Sequence, residues 1–195
     1  MLGLSQGGLI ARFVAQQCPT KANVRNIATL GGPHRGVSSI PGCYDSGIFC
    51  DLIDTIAENF VYFDKIQDLI GPAGYYRDPK QLEAYLEHSA FLPYANNEKN
   101  FQESIRERTS ALHGAMYVMF DEDTTVYPRE SEWFHELQED GSILPLEETL
   151  LYIEDHIGLK ALVEDGRAVF ESFPGEHLQM TDEEIEEVVA PFLAS

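Results

Sequence analysis

The sequence predicts an α/β domain with a mostly parallel sheet, and two features of the 195-residue chain carry that prediction. Short apolar runs of strand character alternate with amphipathic helical segments, which is the order that gives parallel strands with helices on their faces. Hydrophobic residues make up 44% of the chain, which is enough for a packed core. Because no linker-like segment divides the chain, we expect one domain over residues 1–195.

The first predicted elements are a helix and a strand. Residues 5–17 predict a helix that ends before Pro19, because proline excludes helical geometry from the residue before it. Its expected buried side consists of Leu9, Ile10, Phe13 and Val14. The segment "NVRNIATLGG" predicts a short buried strand. A strand should also precede Ser5, and we expect it to be cut away at Met1.

The remainder of the chain predicts a helical insertion followed by two more strands. From about residue 40 to 113, short helical patterns are separated by Gly, Pro and Asn. Strand character returns in "AMYVMF" (115–120) and in "RAVFESF" (167–173). The final segment, "TDEEIEEVVAPFL", predicts a helix that lies on the sheet. Thr181 and Glu184 form its capping box, and its apolar stripe is Ile185, Val188, Val189 and Phe192.

Charge and hydropathy exclude several classes of partner. The chain has 13 basic and 33 acidic residues, a formal charge of −20, so it offers no cationic stripe for a nucleic acid. No run of about 18 apolar residues exists, and we expect no transmembrane segment. The first residues also lack the basic and apolar regions of a secretory signal peptide.

The three cysteines are Cys18, Cys43 and Cys50. Cys43 and Cys50 lie in the short loop "PGCYDSGIFCD", which could bring their sulfur atoms together. A disulfide there would stabilise the fold by about 2.5 kcal/mol in an oxidising compartment, and two free cysteines are the alternative. Cys18 is left over, which suggests a partner outside this sequence.

The pentapeptide Gly3-Leu4-Ser5-Gln6-Gly7 matches the Gly-x-Ser-x-Gly pattern of a nucleophilic serine. In that pattern the serine stands on a strained turn between a strand and a helix, and flanking glycines avoid collisions there. The backbone N–H of Gln6 is the expected oxyanion donor. A match of five residues also arises by chance, so Ser5 could be an ordinary serine in a glycine-rich segment.

A serine nucleophile needs a histidine base and a carboxylate that orients it, and the chain supplies both in the order found in α/β hydrolases. Asp121, Glu122 and Asp123 follow the strand at 115–120, and His177 follows the strand at 167–173. The ordinary interpretation is a solvated acidic loop and a surface histidine. Their positions after strands make the catalytic interpretation as strong as the ordinary one, without a choice among the three acids.

The other histidines fit the role of general base less well. His34, in "GGPHRGV", precedes the acidic loop and is therefore in the wrong order, so we interpret it as structural or pocket-lining. We expect His88, His113, His135 and His156 at the surface. No His-x-x-x-His, Cys-x-x-Cys, Walker or dinucleotide pattern occurs, so we predict neither a metal nor a cofactor.

Segments along nearly the whole chain resemble the palmitoyl-protein thioesterase family, and its lysosomal first member most. They are "GLSQGG", "VAQQCP", "GGPHRGV", the loop from Cys43 to Cys50, "YYRDP", "HSAFL", "SEWF", "LPLEET", "IGLK" and "EHLQM". The resemblance implies an α/β-hydrolase fold, of which the sequence would be the C-terminal two thirds. The missing part would hold the second oxyanion amide and the disulfide partner of Cys18.

The resemblance also implies an activity and its residues. The family removes long-chain fatty acyl groups from cysteine thioesters of lipidated proteins, so S-acylated proteins or peptides and palmitoyl thioesters are the expected substrates. Carried over by motif, Ser5 is the nucleophile, His177 the general base and Asp123 the orienting acid, with Asp121 and Glu122 on a solvated loop. The insertion at 40–113 is the expected acyl site, and the lysosome or secretory pathway is the expected location.

Two further hypotheses remain open. A general serine lipase or esterase would use the same residues on oxygen esters. A non-catalytic remnant would bind acyl chains or partners, and we expect an incomplete sheet to fold poorly and to be weakly active because it exposes an apolar face.

Overall fold

Four parallel strands form the central sheet of the protein, for which a computed structural model describes residues 1–18, 24–39 and 60–195. The strands in this part of the chain are β1 (Leu2–Leu4), β2 (Asn26–Leu30), β3 (Gly114–Phe120), β4 (Glu136–Leu137), β5 (Ile143–Leu144) and β6 (Ala168–Phe173). The sheet has the order β1-β2-β3-β6 with parallel pairing throughout, and β4 and β5 form a separate antiparallel pair. The predicted α/β class is therefore confirmed.

The register of the sheet brings the carboxyl ends of its strands to one edge. Leu4 pairs with Leu30, and Leu30 in turn pairs with Val118. Phe120 pairs with Phe173 at the end of the next pair. Because all four strands run in the same direction, the residues that follow them meet at this edge, where open α/β sheets bind ligands.

The residues before Ser5 form a strand, which corrects the expectation that this strand would be absent. β1 is only three residues long, but each of them is in register with β2. The N–H of Ser5 adds a hydrogen bond of 2.8 Å to the carbonyl oxygen of Leu30. Three residues are sufficient here because the neighbouring strand is fully buried and fixes their direction.

The helices surround this sheet. The α-helices of the described residues are α1 (Gln6–Gln17), α2 (Asp64–Leu69), α3 (Leu82–His88), α4 (Leu92–Ala95), α5 (Glu103–Ser110), α6 (Leu150–Ile153), α7 (Leu159–Glu164), α8 (Asp182–Glu184) and α9 (Ala190–Ala194). A π-helical turn, Ile185–Val189, joins α8 to α9. Short 3-10 turns span Gly71–Tyr75, Pro79–Gln81, Arg129–Trp133 and Leu146–Glu148.

The helix α1 begins and ends as predicted, but its buried face is different. Leu9 is fully buried, whereas Ile10 is 53% exposed. Arg12 is buried instead, because its guanidinium donates to the carbonyl oxygen of Ala95 (3.0 Å) and to the side-chain oxygen of Asn96 (2.7 Å). Satisfied hydrogen bonds of this kind allow a charged side chain to be buried, which apolar periodicity does not anticipate.

Apolar clusters cover both faces of the sheet. On one face, Ile27 and Tyr117 pack with Leu159 and Leu162 of α7. On the other face, side chains of the C-terminal helical segment pack against the strands, and this cluster includes Ala28, Leu30, Met116, Val118, Ile185, Val188, Val189 and Phe192. The capping box of Thr181 and Glu184 is present. The prediction of a terminal helix on the sheet is therefore confirmed.

Helices α2 to α5 lie in the segment predicted as a helical insertion. Residues 40–59 are outside the described residues, so the extent of the insertion at 40–113 stays a prediction. Within the residues described, none of the helices has the length and apolar character needed to cross a membrane.

Candidate active site

Ser5 stands on the turn between β1 and α1 with an unusual backbone. Its φ is 50° and its ψ is −127°, a conformation that costs a non-glycine residue about 1–3 kcal/mol. The turn is held by the bond from Ser5 N–H to Leu30 and by the N–H of Gly8, which donates to the carbonyl oxygen of Ser5 at 2.8 Å. Strain of this kind is concentrated at functional sites, where it holds a side chain in position.

The structure changes the explanation of the glycines around Ser5. A Cβ atom on Gly3 would lie 2.3 Å from the carbonyl oxygen of Gly7, so no other residue fits at Gly3. Among the described residues, nothing lies within 4 Å of a Cβ on Gly7. A Cβ on Gly8 would lie 3.1 Å from Cβ of Thr29. Neighbouring atoms therefore leave no room for a side chain at Gly3 and little room for one at Gly8. Gly7, which the pattern predicts to be essential, has free space around it.

His177 lies between Ser5 and Asp123. Its Nε2 atom is 2.9 Å from Oγ of Ser5, and its Nδ1 atom makes a short hydrogen bond with Oδ2 of Asp123. Asp123 belongs to the loop after β3 and His177 to the loop after β6, two adjacent strands whose carboxyl ends meet at the same edge. The structure thus brings together the three residues that the sequence analysis selected.

Asp123 is held as an ionised carboxylate. Its side chain is fully buried, and Oδ1 accepts hydrogen bonds from the N–H groups of Thr125 (2.7 Å) and Val126 (2.9 Å). Burial by itself raises the pKa of Asp123, but hydrogen bonds with His177 and Glu132 outweigh it. The pKa of Asp123 is therefore below its ordinary value. The neighbouring Asp121 and Glu122 are exposed, as expected.

Gln6 is the first residue of α1, which fixes the surroundings of its backbone N–H. No carbonyl lies one turn earlier within the helix to accept from it, so this N–H is available at the positive end of the helix dipole beside Ser5. The side chain of Gln6 lies beside the 3-10 turn Gly71–Tyr75, because its Nε2 is 3.0 Å from the position of a Cβ on Gly71.

Sequence reasoning missed two residues of this site, Glu132 and Gly31. Glu132 is 1% exposed, and its Oε2 accepts a hydrogen bond of 3.2 Å from the N–H of Phe120. Burial, then hydrogen bonding and charge repulsion with Asp123, raise the pKa of Glu132 to about 10. Gly31 has a φ of 64° and contacts His177. The short motif "SEWF" gave no signal for Glu132, whereas Gly31 directly follows a predicted strand.

Of the remaining histidines, His88 and His113 are exposed as expected, whereas His34 and His135 have structural surroundings. His34 is fully buried, stacks on Phe134 at 4.5 Å between ring centroids, and places Nε2 2.8 Å from Oγ1 of Thr29. Burial and the charge of Arg12 hold the pKa of His34 well below its usual value. His135, expected at the surface, is only partly exposed because its Nδ1 accepts the N–H of Leu146 at 2.7 Å.

One group of side chains in the described residues has the spacing of a possible metal site. One carboxyl oxygen of Asp123, one of Glu132 and one ring nitrogen of His177, each a possible metal ligand, lie within 4.8 Å of one another. The donors of Asp123 and His177 are hydrogen-bonded to each other, and the raised pKa of Glu132 favours its protonated form, which is a poor ligand. We therefore assign the cluster to hydrogen bonding.

The cysteines do not contribute to this site. Cys18 is exposed and free within the part of the chain that the structure describes. Cys43 and Cys50, the predicted disulfide pair, lie outside the described residues.

The parallel sheet, with a strained serine between a strand and a helix at its carboxyl edge, defines a protein of the α/β-hydrolase fold. The sequence model of the family described as palmitoyl protein thioesterase matches residues 1–177. The chain belongs to this family.

Two thioesterases agree with the family assignment. The chain is 38% identical over 182 residues to palmitoyl-protein thioesterase 1 of Caenorhabditis elegans, with 92% of the chain and 60% of the relative covered. It is 29% identical over 198 residues to a lysosomal thioesterase PPT2 homolog of Drosophila melanogaster, with 99% and 67% covered. A solved carboxyl esterase from Bacillus coagulans is similar at a TM-score of 0.40 and 16% identity, over 100% of the chain and 62% of the esterase. The chain thus spans about three fifths of the nematode relative's length.

Proposed function

We propose that the protein hydrolyses thioesters between long-chain fatty acids, palmitate in particular, and the cysteines of lipidated proteins. The observation that carries this proposal is the line of hydrogen bonds from Ser5 through His177 to Asp123, at the carboxyl edge of the sheet. Membership in the thioesterase family supports the choice of thioester over other acyl compounds. Ser5, His177 and Asp123 are the proposed nucleophile, general base and orienting acid.

The first half of the reaction transfers the acyl group to the enzyme. Oγ of Ser5 attacks the thioester carbonyl carbon while its proton passes to Nε2 of His177. The backbone N–H of Gln6 donates to the resulting oxyanion. When the intermediate collapses, the C–S bond breaks, the cysteine sulfur takes the proton from His177, and a serine ester remains.

The second half releases the fatty acid. His177 takes a proton from water as the water oxygen attacks the serine ester, and it returns that proton to Oγ of Ser5 when the ester bond breaks. Asp123 keeps its negative charge throughout and stabilises the imidazolium that forms in each half. No metal or cofactor takes part in this proposed sequence.

The acyl chain needs an apolar surface close to Ser5. Several large apolar side chains near the α2 region are about half exposed or more: Phe60, Phe63, Leu69 and Ile70. The contact between Gln6 and Gly71 connects this region to the serine turn. We infer that the chain lies along it, where each methylene removed from water contributes about 0.8 kcal/mol.

The expected substrates and location follow from the same proposal. S-acylated proteins or peptides and free palmitoyl thioesters are the proposed ligands, and the chain's charge of −20 disfavours nucleic acid. A fly relative is named a lysosomal thioesterase, which supports the lysosome or secretory pathway as the proposed location.

The direct test measures hydrolysis of a palmitoyl thioester and traps the acyl-enzyme. We expect weak turnover by the unmodified chain, loss of that turnover in Ser5→Ala, and a palmitoyl adduct on the peptide that contains Ser5. Ser142→Ala, at an exposed serine away from the site, is the matched control and should retain full activity.

The same assay separates the two alternative functions. Faster hydrolysis of short oxygen esters than of palmitoyl thioesters would identify a general lipase or esterase. Binding of palmitate without turnover or adduct would identify a non-catalytic acyl-binding protein and would contradict the proposal.

A further inference from the structure

Glu132 is a buried carboxyl group directly behind the proposed catalytic residues. It lies in the 3-10 turn Arg129–Trp133 and is 1% exposed. Its Oε2 accepts the N–H of Phe120, the last residue of β3, while Oε1 is buried and no N–H or O–H donor among the described residues reaches it. An unsatisfied buried carboxylate oxygen would be costly, so the surroundings of Glu132 favour a different protonation state.

The charged and titratable groups around Glu132 indicate what that state is. One carboxyl oxygen of Glu132, one of Asp123 and one ring nitrogen of His177 lie within 4.8 Å of one another. Glu130 adds a further negative charge nearby. Two carboxyl groups this close in a buried site do not both ionise. Asp123 accepts two backbone N–H groups and His177, whereas Glu132 accepts a single N–H, so the negative charge belongs on Asp123.

We propose that Glu132 is a positioning residue: as a neutral carboxylic acid it donates a hydrogen bond to Asp123, which keeps Asp123 ionised and directed at His177. This inference rests on the proposed function for its consequence in catalysis, but the protonation state of Glu132 can be measured without it. A donated proton completes the hydrogen bonding of Asp123, which is acceptor-only when ionised.

The consequence of this arrangement is activity at low pH. Each donor to Asp123 favours the charged carboxylate, so removing the Glu132 proton raises the pKa of Asp123. Without this donor the pair of Asp123 and His177 would keep its added proton up to a higher pH, and the protonated pair cannot accept the proton of Ser5. Glu132 therefore extends the working range of the site toward acid.

Infrared spectroscopy of the purified chain tests the protonation state directly. At neutral pH we expect a carbonyl band of a protonated carboxylic acid that disappears in Glu132→Gln. Glu130→Gln, which removes the neighbouring partly exposed acid, is the matched control and should leave that band in place. Absence of the band, or its persistence in Glu132→Gln, would overturn the proposal.

Kinetics test the positioning role with two variants. Glu132→Leu removes the hydrogen-bond donor to Asp123. We expect kcat to fall about tenfold and KM to change less than about twofold. The acidic limb of the pH profile of kcat/KM should move up by about one pH unit. Glu132→Gln keeps an N–H donor at the same place and should rescue most of kcat and the position of that limb.

The outcomes distinguish this inference from the proposed function. If Glu132 were ionised, Glu132→Gln would remove a negative charge and move the acidic limb downward, which would overturn the inference. A chain without thioesterase activity would overturn the proposed function, while the infrared band would still decide the state of Glu132.

Discussion

Gly31 contacts His177 so closely that no side chain fits between them: the position of a Cβ on Gly31 is 2.8 Å from Cε1 and 3.2 Å from Nδ1 of the imidazole. Gly31 directly follows β2, and its N–H donates to the carbonyl oxygen of Val118 at 2.9 Å. The backbone at the end of β2 therefore forms one wall of the space that the histidine occupies.

We expect Gly31→Ala to lower kcat by about 10- to 100-fold with little change in KM, because the methyl group displaces the imidazole from Ser5. The matched control is Gly166→Ala, since Gly166 has a similar φ of 68° and nothing within 4 Å of its Cβ position among the described residues. The control bears the same backbone strain and should retain kcat. Equal losses in both variants would show that strain alone is responsible.

Alanine substitutions at Gly3 and at Gly7 should change the stability of the protein in opposite directions. Gly3→Ala places a methyl group on backbone atoms of Gly7 and Gly8 and should lower the free energy of unfolding by about 3 kcal/mol. Gly7→Ala lies within α1 with free space around it and should raise that free energy by about 0.5–1 kcal/mol. Urea unfolding of both variants tests this, and a destabilised Gly7→Ala would contradict it.

Glu136 should contribute stability that is lost in acid. It lies between Arg35 and Arg77, and their charges outweigh burial to lower the pKa of Glu136 to about 2 from an ordinary value of 4.5. A carboxyl whose pKa is lower in the folded state contributes stability above its unfolded value and loses it as the pH falls toward its folded value. We expect Glu136→Gln to be less stable than the unmodified chain by about 2–3 kcal/mol at pH 6, with the difference shrinking between about pH 4.5 and pH 2. A difference that is independent of pH would contradict the pairing.

The stability that Glu132 contributes should depend on pH in the opposite direction. Its pKa rises from 4.5 to about 10, so the folded protein holds a proton that the unfolded chain releases, and stability falls as the pH rises between these values. Glu132→Gln has no such proton. Relative to the unmodified chain, the variant should gain about 1.4 kcal/mol of unfolding free energy per pH unit between roughly pH 5 and pH 9. Thermal or urea unfolding at pH 5.5 and pH 7.5 measures this, with Glu130→Gln as the control, and equal gains at both pH values would contradict it.

The elements with strong local patterns were predictable from the sequence, whereas long-range contacts were not. The helix at 6–17 and the strands at 26–30, 114–120 and 168–173 have clear apolar periods bounded by Gly or Pro. The strand before Ser5 has three residues and no pattern of its own, because pairing with β2 defines it. Burial of Arg12 depends on Asn96, which lies 84 residues away in sequence.

The same distinction applies to the candidate site. Asp123 and His177 each follow a predictable strand, Ser5 lies in a Gly-x-Ser-x-Gly motif, and the order of the three along the chain restricts the choice of residues. Resemblance selected Asp123 from three adjacent acids. Glu132 belongs to a short turn whose position against Asp123 arises from the path of the loop after β3, and no local feature of "SEWF" encodes that path.

Ser5 and His177 hydrogen-bond across a separation of 172 residues. During synthesis the serine turn leaves the ribosome 172 residues before His177, so the nascent protein has no assembled pair while that stretch is being made. Contacts between such distant residues also form late and slowly in folding. Hydrolytic activity would thus report that the chain has been synthesised at least as far as residue 177 and folded, and a premature stop codon before residue 177 would leave Ser5 without the proposed base.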